Sequence, residues 1–159
     1  MSDSISDKVL WDAYNSLLLS RDTDRIRKLI TRYEIFKLAI KVPGDIVECG
    51  VFKGAGYMFW LKLIDLFARG EQRAVIGFDT FSSFSNSLLD YEKKSAEEFT
   101  NEAEFEGVDP KSIIKYARLA GFNNAELVAG DVIKTIPKYV KDNTGFRISL
   151  LHLDLDTYI

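Results

Sequence analysis

Apolar residues recur at helical spacing over the first forty residues of the chain. Val9–Leu19 carries an apolar stripe, and Asp22–Asp24 has the polar and acidic character of a helix start. Pro43-Gly44 predicts the end of the helix that begins there. We therefore expect an N-terminal helical extension over residues 1–21 and one folded domain over residues 22–159.

Short apolar runs replace the helical stripes after Pro43 and predict four β-strands. The runs are Asp45–Cys49, Ala74–Phe78, Ala125–Ala129 and Arg147–Leu155. Helical patterns separate them, the last a short one over Ile136–Lys141. Strands that alternate with helices pair in parallel through right-handed crossovers. The pattern thus predicts an α/β fold, a doubly wound sheet of order 3-2-1-4 with helices on both faces.

Glycines follow the first predicted strand at positions 50, 54 and 56, just before a helical pattern. Such a strand, turn and helix N-terminus favours a carboxylate, a phosphate or a polyhydroxylated group as ligand. The spacing differs from G-x-G-x-x-G, which disfavours a dinucleotide. Glu48 ends the strand and is a candidate acceptor for an ammonium or hydroxyl group, or else a cap for the turn.

Acidic residues also end the second and third predicted strands. Asp79 stands where Rossmann-like proteins bind the two hydroxyls of a ribose, although it could also cap a loop. Asp131, after Gly130, could accept a hydrogen bond from an exocyclic amine such as adenine N6, with Val132 against the ring. A helix cap is an equally good interpretation of Asp131.

Two aspartates end the fourth predicted strand. Asp154 and Asp156 are two residues apart and would point to the same face, where they repel unless a cation or a proton lies between them. A hard cation such as Mg²⁺ suits these oxygen ligands. His152 shares their alternation, so it either faces the same crevice or is a partly buried structural histidine.

Composition narrows the class of partner. The 159 residues carry a net charge of −3, so no broad basic surface favours nucleic acid. No apolar run approaches the ~18 residues of a membrane span, and Met1–Leu10 lacks the apolar core of a signal peptide. Cys49 is the one cysteine and is predicted to be a core residue. These features favour a cytoplasmic protein that contacts neither membrane nor nucleic acid.

Four motifs, taken in order, resemble the macrocin O-methyltransferase family. They lie at residues 47–54, 78–81, 130–137 and 152–158, and the resemblance runs from about Asp22 to the C-terminus. That family comprises class I methyltransferases that use S-adenosylmethionine and act on sugar hydroxyls of natural products. The resemblance therefore implies a Rossmann-like fold, this cofactor, and a sugar-like small molecule as acceptor.

The resemblance also implies roles for individual residues. The turn would hold the methionine part of the cofactor, Asp79 the ribose, and the Gly130 segment the adenine. The implied cofactor-binding residues are Glu48, Gly50, Val51, Gly54, Gly56, Tyr57, Asp79, Thr80, Gly130, Asp131 and Val132. Asp154 resembles a Mg²⁺ ligand and Asp156 the base, with His152 as a second candidate catalytic residue.

The chain departs from this family at its C-terminal side. The family continues with further strands of a seven-stranded sheet and a later Asp-Asp pair that completes the metal site, whereas this sequence stops at Ile159. We therefore expect either a truncated member whose fourth strand is an open edge, or a partner chain that covers this edge. Self-association through that edge or through the Val9–Leu19 helix is expected. Two alternatives stay open: a nucleotide-sugar glycosyltransferase that uses Asp154-Leu-Asp156 as a metal site, and a non-catalytic cofactor-binding fragment.

Overall fold

The computed structural model describes residues 5–70, 72–82, 90–102 and 107–155. The elements in chain order are α1 (Asp7–Leu19), α2 (Asp24–Ala39), β1 (Asp45–Cys49), α3 (Ala55–Phe67), β2 (Val75–Asp79), α4 (Asp90–Glu102), α5 (Pro110–Leu119), β3 (Ala125–Ala129), α6 (Val132–Asp142) and β4 (Ile148–Leu153). The predicted alternation is confirmed. Two boundaries differ, because α6 begins well before Ile136 and β4 ends before Leu155.

The strands form one parallel sheet of order β3-β2-β1-β4, as the sequence predicts. Glu48 of β1 lies between Gly77 of β2 and His152 of β4. The chain moves outward from β1 through β2 to β3 and then returns to the other side of β1. This reversal places a switch point between β1 and β4, where open α/β sheets bind their ligands.

Helices cover both faces of the sheet, as predicted. On one face α2, α3 and α5 pack against the strands; their buried core includes Phe36, Trp60, Leu61, Ile113, Ala117, Ile46, Val75, Ala125 and Leu150. On the other face α6 contributes Val132, Ile136 and Tyr139, which pack against Val47, Cys49, Ile76 and Phe78. Glu48 alternates with Val47 along β1 and so points toward α2 and α3.

Two apolar surfaces stay exposed. Leu151 and Leu153 of β4 are 52% and 64% exposed, and no residue of α1 is buried, although it carries Trp11 and Leu10. The helical nature of α1 is confirmed, while self-association through either surface remains a prediction. Among the helices in the described ranges, none combines the length and the apolar character that a membrane crossing requires.

Candidate functional site

The carboxyl ends of the four strands meet at one edge of the sheet. Three backbone hydrogen bonds join them: Gly50 N to Phe78 O at 2.9 Å, Gly130 N to Asp79 O at 2.8 Å and Asp154 N to Cys49 O at 2.8 Å. The helix N-terminus of α3 begins at Ala55, directly after the β1 turn. The segments that the sequence singles out around Gly50, Asp79, Gly130 and Asp154 are therefore neighbours in space.

Backbone conformation and a close backbone contact both require a glycine at position 50. Its φ is +92°, and a Cβ there would lie 2.0 Å from the carbonyl oxygen of Asp154. No side chain fits this contact without moving one of two backbone segments. The glycine thus lets the segment after β4 rest directly on the turn after β1.

The other two glycines of the turn also make room for protein atoms. Gly54 caps α3 with φ +89°, and a Cβ there would lie 3.0 Å from Ile113. A Cβ on Gly56 would lie 2.6 Å from Nη2 of Arg32. Internal packing therefore accounts for the space at all three glycines; a cofactor contact through Gly50, Gly54 or Gly56 remains a prediction for their backbone groups.

Asp79 fastens the turn to β2. Its Oδ2 accepts hydrogen bonds from the backbone N–H groups of Val51 and Phe52 at 2.7 and 2.8 Å, and its Oδ1 accepts one from Phe81 at 2.7 Å. The carboxylate therefore takes up two backbone donors of the turn that precedes α3. Ribose binding by Asp79 stays a prediction, and a ribose would have to share these oxygens.

The Tyr57 side chain is closed off from a cofactor, so the predicted contact remains a prediction for its backbone groups. The side chain is 0% exposed, and its hydroxyl lies 3.0 Å from the carbonyl oxygens of Val75 and Glu126. Burial raises the pKa of this hydroxyl above its ordinary value, and the hydrogen bond to the Glu126 backbone carbonyl offsets part of that rise. Tyr57 is a core residue that ties α3 to the sheet.

Cys49 is a core residue, as predicted. It is 0% exposed within the α6 face of the sheet, and burial raises the pKa of its thiol to about 11, with the Glu48 charge adding to the effect. A thiol in this state is a poor nucleophile at neutral pH.

Glu48 lies beneath the turn in a polar cluster with Trp60 and His152. It is 1% exposed, and its Oε1 accepts a hydrogen bond from Trp60 Nε1 at 3.2 Å. His152 Nδ1 lies 3.2 Å from the same oxygen without hydrogen-bond geometry, and its ring meets the Trp60 indole edge to face at 5.7 Å. Within the described ranges, Glu48 Oε2 has no hydrogen-bond partner. His152 therefore faces α3. A catalytic role for His152 and a cofactor contact for Glu48 remain predictions.

The third strand end is a helix cap. Asp131 accepts a hydrogen bond from Ile133 N at 3.0 Å and caps α6, which explains why that helix begins at Val132. Of the two interpretations of Asp131, the cap is therefore the one seen.

Thr80 Oγ1 lies 3.2 Å from the carbonyl oxygen of Ser82. Adenine and ribose contacts through Thr80, Gly130, Asp131 and Val132 stay predictions.

Asp154 is the accessible acid of this edge, with a side chain 43% exposed. Its Oδ2 lies 3.5 Å from Nη2 of Arg32, while Asp156 and Tyr158 lie outside the described residues. No group of three His, Cys, Asp or Glu side chains that could hold a metal occurs within the described residues. One carboxylate that already faces a guanidinium does not fit a Mg²⁺ ion, which prefers several oxygen ligands.

Sequence reasoning missed Arg32 and Trp60. Arg32 belongs to α2 and Trp60 to α3, and both reach Glu48 of β1. Trp60 lies on the same helical stripe as the core residues of α3, so the sequence pattern predicts a packing role and not a hydrogen bond to Glu48. A single arginine on an otherwise ordinary helix gives no local signal for a partner sixteen residues away.

The sheet order and the helix arrangement define the Rossmann-like fold of methyltransferases, which the chain shares with solved structures. One is CalS11, described as a calicheamicin methyltransferase: the TM-score is 0.77 at 24% identity, over 99% of this chain and 63% of that one. An apo structure of CalS11, described as a TDP-rhamnose 3'-O-methyltransferase, gives a TM-score of 0.66 at 24% identity over 96% and 61% of the two chains.

The O-methyltransferase NovP is a third structural neighbour, with a TM-score of 0.66 at 19% identity over 82% of this chain and 54% of NovP. This chain thus spans 54–63% of the length of these neighbours. No protein-family model matches the chain, and no curated protein sequence matches it. The likeness establishes the fold.

Proposed function

We propose that this chain binds S-adenosylmethionine at the strand-end edge and takes part in methylating a hydroxyl of a sugar-like small molecule. The observation that carries the proposal is the shared fold: 99% of the chain matches CalS11, described as a calicheamicin methyltransferase. A second description of CalS11 names TDP-rhamnose, which is why a sugar hydroxyl is the proposed acceptor.

The charge of the edge supports a cationic ligand. Three aspartates, Asp79, Asp131 and Asp154, lie at the ends of β2, β3 and β4. S-adenosylmethionine carries a sulfonium and an ammonium group, which carboxylates attract, and one carboxylate, which suits the N-terminus of α3. A dinucleotide or a nucleoside diphosphate brings several negative charges and would be repelled by the same residues.

The residues of the chain have two tasks in this reaction. The turn after β1 and the N-terminus of α3 orient the cofactor, which when bound supplies an electrophilic methyl group. The acceptor hydroxyl must lose its proton as its oxygen is methylated, so the reaction needs a base. The resemblance implies Asp156 for this role, and Asp154 is the exposed acid among the described residues at the end of β4.

Mg²⁺-assisted deprotonation is left out of the proposal. The resemblance to the macrocin family suggested it, but the described residues do not fit the ion, because Asp154 faces Arg32. A glycosyltransferase is the weaker candidate, because only the Asp154-Leu-Asp156 pair favours it and the chain shares its fold with methyltransferases.

Calorimetric titration with S-adenosylhomocysteine tests cofactor recognition. We expect a dissociation constant in the range of about 1 µM to 1 mM, the usual range for enzyme ligands. NAD⁺ and UDP serve as matched ligands that should not bind. Binding of UDP or NAD⁺ without binding of S-adenosylhomocysteine would overturn the proposal. Methyl transfer to TDP-rhamnose, followed by mass spectrometry, then tests the acceptor class.

A further inference from the structure

Arg32 reaches from α2 to the ends of two strands. Its Nη2 lies 3.3 Å from Glu48 Oε1 of β1 and 3.5 Å from Asp154 Oδ2 after β4. The guanidinium carbon lies 5.8 Å from the centroid of the Trp60 ring, within the range of a cation–π contact. One buried cation therefore joins two carboxylates on either side of the switch point.

The structure makes space for this cation. The Arg32 side chain is 12% exposed, although arginine usually lies at the surface. The absence of a Cβ at Gly56 admits the guanidinium, since that atom would lie 2.6 Å from Nη2 and 3.0 Å from Glu48 Oε1. Arg32 is thus part of the packed fold and differs from a solvated surface ion pair.

Glu48 anchors Arg32 independently of Asp154. A carboxylate that is 1% exposed needs a positive partner nearby, because an unpaired buried charge is costly. Asp154 is the outer end of the same arrangement, with a side chain 43% exposed. The positive charge of the guanidinium therefore faces Asp154 from the inner side.

We infer that Arg32 is the resident cation of Asp154: it occupies the position that a divalent ion would take at this carboxylate. Any Mg²⁺ or Mn²⁺ ion that approaches Asp154 meets a like charge a few ångströms away. The inference concerns cation binding and is independent of whether the chain transfers a methyl group.

Mn²⁺ binding to the whole chain, measured by water proton relaxation, tests this inference. Arg32→Gln removes the charge, and we expect it to raise the Mn²⁺ affinity about tenfold or more, because a nearby like charge no longer opposes the ion. Arg32→Lys, the matched control, keeps the charge and should bind Mn²⁺ as weakly as the wild type. The gain should vanish in the double variant Arg32→Gln/Asp154→Asn.

The inference is overturned if Arg32→Gln binds Mn²⁺ no better than the wild type, or if its gain persists without Asp154. It is also overturned if the wild type already binds Mn²⁺ tightly through Asp154. Arg32→Gln leaves Glu48 buried without its cation, so the same comparison is made between Glu48→Gln/Arg32→Gln and Glu48→Gln. Failure of cofactor recognition would appear in the S-adenosylhomocysteine titration instead, which keeps the two results separate.

Discussion

Asp79 and Asp154 lie at the ends of β2 and β4, the two strands that flank β1, yet their carboxylates are held differently. Asp79 accepts three hydrogen bonds from backbone N–H groups, all within 2.8 Å. Asp154 faces a single guanidinium at 3.5 Å, and its side chain is 43% exposed. One carboxylate is built into the turn, whereas the other is partly exposed to solvent.

This difference separates an acid that holds the fold together from one that stays accessible. An acid that satisfies backbone donors near it in the fold cannot be removed without loosening the turn, because those donors lose their acceptor. An exposed acid with one long ion pair contributes little to stability, and its charge can serve chemistry. The β2 side of the edge is therefore a scaffold, while the acid on the β4 side remains partly open to solvent.

The largest expected effect is at the contact between Gly50, in the turn after β1, and the backbone of Asp154, after β4. Gly50→Ala should lower the free energy of unfolding by about 3–5 kcal/mol, since it combines a positive φ with a backbone overlap. Gly121→Ala is the matched control, because Gly121 has φ +87° and nothing within 4 Å of its Cβ position. It should cost only about 1–2 kcal/mol.

Urea unfolding followed by tryptophan fluorescence measures both variants. Similar losses for Gly50→Ala and Gly121→Ala would mean that only the backbone conformation matters. The two strand ends would then not be in close contact, and the comparison between them would fail.

Alanine at each acid gives the next largest effect. Asp79→Ala should cost about 3 kcal/mol, because three backbone donors lose their acceptor. Asp154→Ala should cost less than about 1 kcal/mol, as expected for a half-exposed ion pair. The same unfolding experiment measures both, and equal losses would contradict the assignment of Asp79 to the scaffold and Asp154 to the open side.

The sequence predicts this edge well because its signals are local. Glycines and acids at strand ends mark the turn, and the alternation of strands and helices fixes the sheet order and the meeting of four segments. It does not distinguish a carboxylate that binds its own backbone from one that binds a ligand, as at Asp79. Nor does the position of Tyr57 beside the turn reveal that its side chain belongs to the core, with Trp60 and Leu61.

Arg32 shows the other limit of sequence reasoning. Its partners Glu48 and Asp154 belong to other elements, and the space for it comes from a missing Cβ on Gly56. Only the packing of α2 against α3 and the sheet brings them together. A contact of this kind depends on the three-dimensional arrangement and leaves no spacing pattern in the chain.

Titration of Cys49 tests whether the end of β1, which lies between the two strands compared above, is buried. Its pKa is raised from 9.0 to about 11, so the folded state holds the thiol proton more tightly than the unfolded state. The contribution to stability is complete below pH 9.0 and is lost as the pH rises through about 11. We expect the wild type to lose roughly 2–3 kcal/mol relative to Cys49→Ala over that interval.

Cys49→Ala keeps Tyr57 and Tyr139, whose raised pKa values affect both proteins equally. Unfolding in urea at pH 8, 9, 10 and 11 measures the difference between the two proteins. A difference that does not change with pH would show that the thiol titrates normally and that the end of β1 is open to solvent.

The smallest effect is expected on the exposed face of β4. Leu153→Ala should change the free energy of unfolding by less than about 0.5 kcal/mol, because the side chain is already 64% exposed. Leu150→Ala, on the buried face of the same strand and 6% exposed, should cost about 2–4 kcal/mol. A larger loss for Leu153→Ala that depends on protein concentration would contradict this expectation. Sedimentation of the wild type would then show whether the β4 face self-associates.

The contact between Gly50 and Asp154 also bears on the order in which the chain assembles. The turn meets Asp79 across 28 residues, whereas β4 reaches β1 across 104 residues, as in the hydrogen bond from Ser149 to Asp45. Closing the longer loop costs more entropy and slows folding. We therefore expect β4 to dock after the turn has formed, so that the two halves of the ligand edge coexist only in the fully folded chain.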